Sequence, residues 1–254
     1  MSGHSKWATI KRQKARTDAV RGKTFAQLSR AIIVAARSGA DPAGNFQLRT
    51  AIDKAKAASI PNDNIERAIA KGAGNLAGEA DQLEELRYEG YGSGGVALIM
   101  EALTDNRNRT AADLRAALSK RGGNLGETGC VSWMFAQKGV CIINGQVDED
   151  LLLMAALEGG ADVYELLEDA EQPGAEVFTE TANLEQLSQA LQAQGFTVTE
   201  SEWRWIPGNT VEITDLEQSK QLLKLLETLE ALDDIQNVTA NFEMSADLMA
   251  LLMD

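Results

Sequence analysis

Arg16, Lys23, Arg30 and Arg37 recur at seven-residue intervals, a spacing that lays cations along one helix face with a drift of about 20° per heptad. Lys11, Arg12, Lys14 and Arg21 add charge around that line, and Arg49 and Lys56 repeat the seven-residue step further on. The chemistry open to such an array is phosphate binding, because each cation that meets a nucleic-acid phosphate releases a condensed counterion. Gly22 is a possible break in the first helix, so the stripe is firmest for Lys23, Arg30 and Arg37. Trp7, between Lys6 and Lys11, is a large ring in a polar terminal segment. Stacking on an unpaired base, docking in a partner's groove and packing back onto the protein are all open to it. A smaller candidate is Asn106-Arg107-Asn108-Arg109, a loop from which Arg107 and Arg109 either reach phosphates or stand solvated.

These cations are segregated. Residues 1–75 hold 14 bases and 5 acids, whereas residues 76–254 hold 10 bases and 33 acids, within a chain of net charge −14. Most of the acid lies late: residues 76–142 are near neutral at −2, and residues 143–254 carry −21. A basic end on an acidic body points to an anionic partner for that end, and leaves basic proteins as partners for the acidic half.

Other chemistries find little support. The single histidine, His4, argues against zinc sites and histidine-based catalysis. Cys130 and Cys141 make no disulfide framework and read as buried free thiols of a reducing, cytoplasmic compartment. No apolar run approaches the roughly 18 residues of a membrane span. An arginine-rich start also describes transit peptides, but Phe25–Ser38 continues it into an amphipathic helix without a cleavage-like break. Gly90, Gly92 and Gly95 fit G-x-G-x-x-G, yet they run into the strand-like Val96–Met100 rather than a helix, which suits a turn better than a dinucleotide site. Gly22-Lys23-Thr24 lacks the earlier glycine of a P-loop, since Thr17 stands there. Asp148-Glu149-Asp150 and Asp233-Asp234 read as solvated or dipole-favourable acids at helix ends. No nucleophile and base are spaced as a catalytic pair, and no cofactor is implied.

The elements that must position the cations come in three groups. Phe25, Leu28, Ile32 and Ala35 mark a helix over 25–38, Leu48, Ala51, Ile52 and Ala55 a second over 46–59, and Ile65, Ala68 and Ile69 a third opened by Pro61 and ended by Gly72. After a Gly/Ala/acid linker near 75–82 the pattern becomes mixed: a strand over 96–104, a helix over 110–121 capped by Thr110, and a strand over 130–135. Residues 140–206 then read β-α-β-β-α-β, the ferredoxin-like order. A leucine-striped helix over 216–232, a strand over 234–242 and a helix over 246–253 follow. The expectation is a multidomain α and α+β protein. Residues 1–76 form a basic three-helix bundle, 77–136 with 207–254 a discontinuous α/β middle domain, and 137–206 an inserted ferredoxin-like domain.

Six motifs resemble the YebC family: Gly3-His4-Ser5-Lys6-Trp7, Ala51-Ile52-Asp53-Lys54-Ala55-Lys56, Asn64-Ile65-Glu66-Arg67-Ala68-Ile69, Tyr88-Glu89-Gly90-Tyr91-Gly92, Thr104-Asp105-Asn106-Arg107-Asn108-Arg109-Thr110 and Gly122-Gly123-Asn124-Leu125-Gly126. Thr9, Arg12-Gln13 and Asn62 depart from the usual pattern and trim local charge slightly. The resemblance implies the same three domains and no required cofactor or enzymatic activity. Bacterial members are often called probable transcriptional regulators, and the mitochondrial relative is a translational activator. The favoured expectation is a non-enzymatic, ribosome-associated factor gripping ribosomal RNA through the basic bundle. The alternatives are a transcriptional regulator on duplex DNA and a protein-interaction module working through the acidic half. No helix rich in Asn, Gln and Arg is set up to read base edges.

Overall fold

The computed structural model describes residues 21–74, 83–167 and 173–253. In the first segment three helices form a bundle: α1 (Arg21–Arg37), α2 (Phe46–Ala57) and α3 (Asn62–Gly72). Ile32, Ile33 and Ala36 of α1 pack with Leu48, Ile52 and Ala55 of α2 and Ile65 and Ala68 of α3. Asn45 caps α2, its Oδ1 accepting from Leu48 N at 3.0 Å. Gly72 lets α3 approach α1 closely, since a Cβ there would lie 2.2 Å from the Ile33 carbonyl oxygen. Helix α1 begins at Arg21, so Gly22 lies in its first turn and does not separate Lys23 from Arg30 and Arg37.

The next elements are β1 (Glu84–Tyr91), β2 (Ala97–Thr104), α4 (Arg107–Ser119), β3 (Asn124–Leu125) and β4 (Phe135–Asn144). After them come α5 (Glu149–Glu158), β5 (Ala161–Leu167), β6 (Gly174–Thr179), α6 (Leu184–Ala193) and β7 (Thr197–Pro207), then β8 (Val211–Glu212), α7 (Leu216–Glu230), β9 (Ile235–Ala240), β10 (Phe242–Glu243) and α8 (Ala246–Met253). The chain divides into two compact units, residues 137–206 and the remainder.

In the larger unit a four-stranded sheet has the order β3-β1-β2-β9, and β9 is contributed by chain lying beyond residues 137–206. Its strands pair antiparallel, with Tyr88 opposite Met100 and Leu98 opposite Ala240. Alternation puts Leu98, Met100 and Ala102 on one face, where they pack with Leu114 and Leu118 of α4 and Leu222, Leu225, Leu226 and Leu229 of α7. The glycine-rich stretch is the turn joining β1 to β2: Gly94 and Gly95 take φ of +79° and +76°, conformations that favour glycine.

The smaller unit holds a sheet of order β5-β6-β4-β7, the arrangement of a ferredoxin-like βαββαβ unit. Cys141 pairs with Val177 across β4 and β6, and β6 is buried along its whole length. Asp148 caps α5 by accepting from Asp150 N and Leu151 N, both at 3.1 Å. Leu152, Ala155 and Ala156 of α5 are buried, while Leu153, Met154 and Leu157 are exposed. The fold class is therefore mixed α+β, with helices first and sheets after. No helix among the described residues is long and apolar enough to cross a membrane.

Three local expectations are corrected. Asn106, not Thr110, caps α4, its Oδ1 accepting from Arg109 N at 3.1 Å, and Thr110 lies buried inside the helix. Residues 130–135 are not a strand: Ser132–Met134 form a single 3-10 turn, and β4 starts at Phe135. The reason is Glu89, whose buried carboxylate accepts from Gly129 N at 3.0 Å, Val131 N at 2.8 Å and Ser132 N at 2.9 Å. Backbone donors aimed at one carboxylate cannot also serve a ladder. The third concerns Asp234, which is buried rather than solvated.

Candidate nucleic-acid interface

Asp234 lies between α7 and β9, and its backbone carbonyl accepts from Leu103 N at 2.8 Å, next to the end of β2. That places its carboxylate beside the β2–α4 connection. Oδ2 accepts from Thr104 Oγ1 at 3.1 Å, Thr110 Oγ1 at 2.8 Å and Arg109 Nη2 at 2.9 Å. Oδ1 takes Arg30 Nη1 at 3.1 Å, and the same Arg30 nitrogen donates to the Asp233 carbonyl at 2.7 Å. Gln27, one turn earlier on α1, donates to the Ile235 carbonyl at 2.6 Å. Burial by itself would push the Asp234 carboxyl up, but hydrogen bonds from Arg109, Thr110 and Thr104 outweigh it and hold the group below the ordinary aspartate range. The group is thus held in its charged form and shared between two guanidinium groups. Helix α1 is thereby fastened to the sheet.

This arrangement divides the cations. Arg30 and Arg109, 79 positions apart in sequence, meet on one carboxylate, and Arg109 also binds Asp105 Oδ1 at 2.7 Å. Their charge is largely neutralised within the protein. Arg37 is exposed and donates to the Leu83 carbonyl at 2.9 Å. Arg49 is half-buried, donating to the Pro42 carbonyl at 3.2 Å with its guanidinium 5.3 Å from the Phe46 ring centroid. Lys56 and Arg107 are exposed, as are Arg67 on α3 and Arg115 on α4. Arg21 and Lys23 lie on α1 with their side chains outside the described set, and Lys6, Trp7, Lys11, Arg12, Lys14 and Arg16 lie outside the described residues. Sequence reasoning passed over Asp234 because an aspartate at a helix-to-strand junction usually looks like a solvated cap. The available signal was the pair Thr104 and Thr110, two hydroxyls flanking Arg107 and Arg109, which lie in the first turn of α4 and not in the expected loop.

Neither thiol is set up as a nucleophile. Burial pushes Cys141 up to about 11, and burial together with the nearby Glu89 charge raises Cys130. Among the described residues no three His, Cys, Asp or Glu side chains gather as metal ligands would.

An α+β chain with a leading helical bundle fastened to a sheet, and a βαββαβ unit within the sheet's own sequence, defines the class of protein. Residues 5–75 match the family model for the TACO1/YebC protein N-terminal domain, and residues 83–242 the model for the TACO1/YebC second and third domain. The chain belongs to the TACO1/YebC family. It is 72% identical over 252 residues to a probable transcriptional regulatory protein of Trichormus variabilis, covering 99% of each chain. A protein of the same description from a Nostoc species is 71% identical over 252 residues, again with 99% of each covered. Among solved structures, a conserved hypothetical protein from Aquifex aeolicus is similar at a TM-score of 0.80 and 45% identity, over 90% of this chain and 92% of that one.

Proposed function

We propose that this chain is a non-enzymatic regulator of gene expression, a ribosome-associated cytoplasmic translation factor that grips ribosomal RNA through its basic N-terminal domain. The observation that carries the reading is charge segregation: residues 1–75 hold a surplus of nine bases, and Arg37, Lys56 and Arg67 stand exposed on the bundle. Three domains divide the work, with residues 1–76 as the grip, 77–136 with 207–254 as the platform fastened to it, and 137–206 as an acidic insert. Backbone and shape contacts suit structured RNA, whose deep major groove side chains do not read.

Ribosome co-sedimentation across a salt series tests this. Wild-type protein should pellet at low salt and be released steeply as salt rises. Arg37→Glu combined with Lys56→Glu should weaken binding and flatten the log–log salt slope by roughly two. Arg30 and Arg109 are unsuitable for this purpose, because changing them breaks the Asp234 cluster as well. Wild-type protein that stays in the top fractions at low salt sinks the translation reading.

The description carried by the Trichormus and Nostoc relatives supports a second reading, duplex DNA regulation through the same bundle. Equal affinity for chosen and random duplexes would count against it. The exposed Leu153, Met154 and Leu157 on an acidic insert support a third reading, an interaction surface for basic proteins. Deleting residues 137–206 should then abolish partner binding, and deleting the basic arm should not.

A further inference from the structure

Trp133 is 72% exposed, although the loop that carries it is held by several hydrogen bonds. Glu89 is at the centre of the bracing. Its side chain is fully buried, and it collects the N–H groups of Gly129, Val131 and Ser132. The Glu89 backbone carbonyl accepts from Gly126 N at 2.8 Å. Val131, with no exposed surface, plugs the loop into the core. Tyr91 Oη donates to the Cys130 carbonyl at 3.1 Å, and Met134 N closes the turn on the Val131 carbonyl at 2.9 Å. The Trp133 ring is itself fixed, since Nε1–H donates to the Cys130 carbonyl at 3.1 Å. The indole's single hydrogen-bonding group is thereby used inside the loop. What the ring offers to solvent is its π surface alone.

A braced loop that holds a large flat ring out in water forgoes the burial from which tryptophan ordinarily gains. A cation accompanies it: Arg87, two residues from Glu89 on the same face of β1, has Nε 3.6 Å from Glu89 Oε1, the oxygen that also binds Gly129 N. A rigidly held π surface open to solvent is what single-stranded nucleic acids stack an unpaired base upon. We infer that Trp133 is a stacking platform for an unpaired base of single-stranded RNA. This rests on the proposed RNA-binding function and names a second contact, separate from the basic bundle.

Trp203 supplies the contrast. It is 46% exposed, and its Nε1 also donates to a carbonyl, that of Thr181 at 3.3 Å. It belongs to residues 137–206, which hold 2 bases and 14 acids, a setting that repels phosphates. The inference therefore predicts different behaviour from two solvent-facing rings, each with its Nε1 tied to a backbone carbonyl.

The test uses the full chain and a 12-nucleotide oligoadenylate carrying one 2-aminopurine, with a duplex RNA of equal length as comparison. Trp133→Ala should weaken oligoadenylate binding about 5- to 100-fold and remove the 2-aminopurine quenching. It should leave duplex binding and thermal midpoint essentially unchanged. Trp133→Phe should retain most of the affinity, and Trp203→Ala should match wild type. Wild-type affinity and quenching in Trp133→Ala, or equal losses in Trp133→Ala and Trp203→Ala, overturns the platform. So does wild-type protein that fails to bind the oligonucleotide at low salt. If Trp133→Ala is silent while Arg37→Glu with Lys56→Glu weakens ribosome binding, the platform fails and the proposed function stands. If oligonucleotide binding depends on Trp133 but ribosomes are not bound, the platform stands and the translation reading fails.

Discussion

Asp234 and Arg204 centre two charge clusters of opposite construction. In the larger unit one buried carboxylate receives two guanidinium groups, Arg30 and Arg109, and two hydroxyls. In the insert one nearly buried guanidinium faces three carboxylates, with Glu200 at 2.7 Å, Glu176 at 3.5 Å and Glu202 also in contact. The insert's other base, Lys138, is shared between Asp162 at 2.9 Å and Glu180. Both cations of the insert are thus consumed by its own acids. The insert carries −12 of the chain's −14, leaving −2 for all the rest. The acidity of this protein is therefore a property of one unit, and the basic segment shares its own unit with a balancing acid surplus. Where the two signs nearly balance, a buried acid fastens elements together. Where acids far outnumber bases, one arginine holds several of them.

The largest break of this symmetry should be Arg204→Met. Glu176 is 2% exposed at its side chain, and removing the cation from a buried pair strands the opposite charge, at about 3–5 kcal/mol. Denaturant unfolding of the full chain should show that loss. Added salt should recover part of it by screening the mutual repulsion of Glu176, Glu200 and Glu202. A loss below 1 kcal/mol would mean that the arginine does not hold the insert's acids together.

Asp234→Asn comes next, at about 2–3 kcal/mol, since Arg30 and Arg109 keep partial access to water and the amide can still accept one hydrogen bond. Its pH signature has a definite sign. The folded carboxyl sits below the unfolded value of about 3.9, so its contribution is complete above that value and is lost as pH falls through the folded one. The stability gap between wild type and Asp234→Asn should be constant from pH 5 to 8 and close in stronger acid. A gap that widened on acidification would contradict the ion-pair account.

Much of the fold was legible because it rests on periodicity. Phe25, Leu28, Ile32 and Ala35 marked α1 at helical spacing, and the β-α-β-β-α-β order of residues 140–206 followed from alternating short apolar runs and helical stretches. Helix α8 spans Ala246–Met253, the range that its pattern indicates. The failures occur where a long-range side chain decides local structure. Residues 130–135 carry Val131, Trp133 and Phe135 in strand-like alternation, yet Glu89, about forty positions earlier, claims their donors. Thr110 looks like a cap because nothing local reveals that its hydroxyl belongs to Asp234, 124 positions away. The candidate site suffered in the same way. Basic residues are countable in a sequence, but which of them share one buried carboxylate is a tertiary fact, and nothing local marks Arg30 and Arg109 as the pair that meets on Asp234.

The smallest effect, and the one that ties the comparison to the RNA platform, belongs to Glu89→Gln. Glu89 and Asp234 are both buried acids held below their ordinary range against a burial penalty. Asp234 is served by side chains that reach in from other elements, and Glu89 by the backbone N–H groups of Val131, Gly129 and Ser132 with Arg87 nearby. A glutamine keeps one carbonyl acceptor, so part of the network survives while charge assistance is lost, at about 1–2 kcal/mol. Because the donors are backbone groups of a single loop, the damage should stay local. Amide hydrogen exchange of residues 129–132 should accelerate in Glu89→Gln while α1 and α4 keep wild-type protection. The same variant should bind oligoadenylate less tightly than wild type without any change at Trp133 itself, because a stacking ring is effective only if its loop is held still. Exchange that accelerates uniformly across the larger unit would make Glu89 a general stabiliser like Asp234, and the distinction between an acid that fastens elements and an acid that shapes one loop would fall.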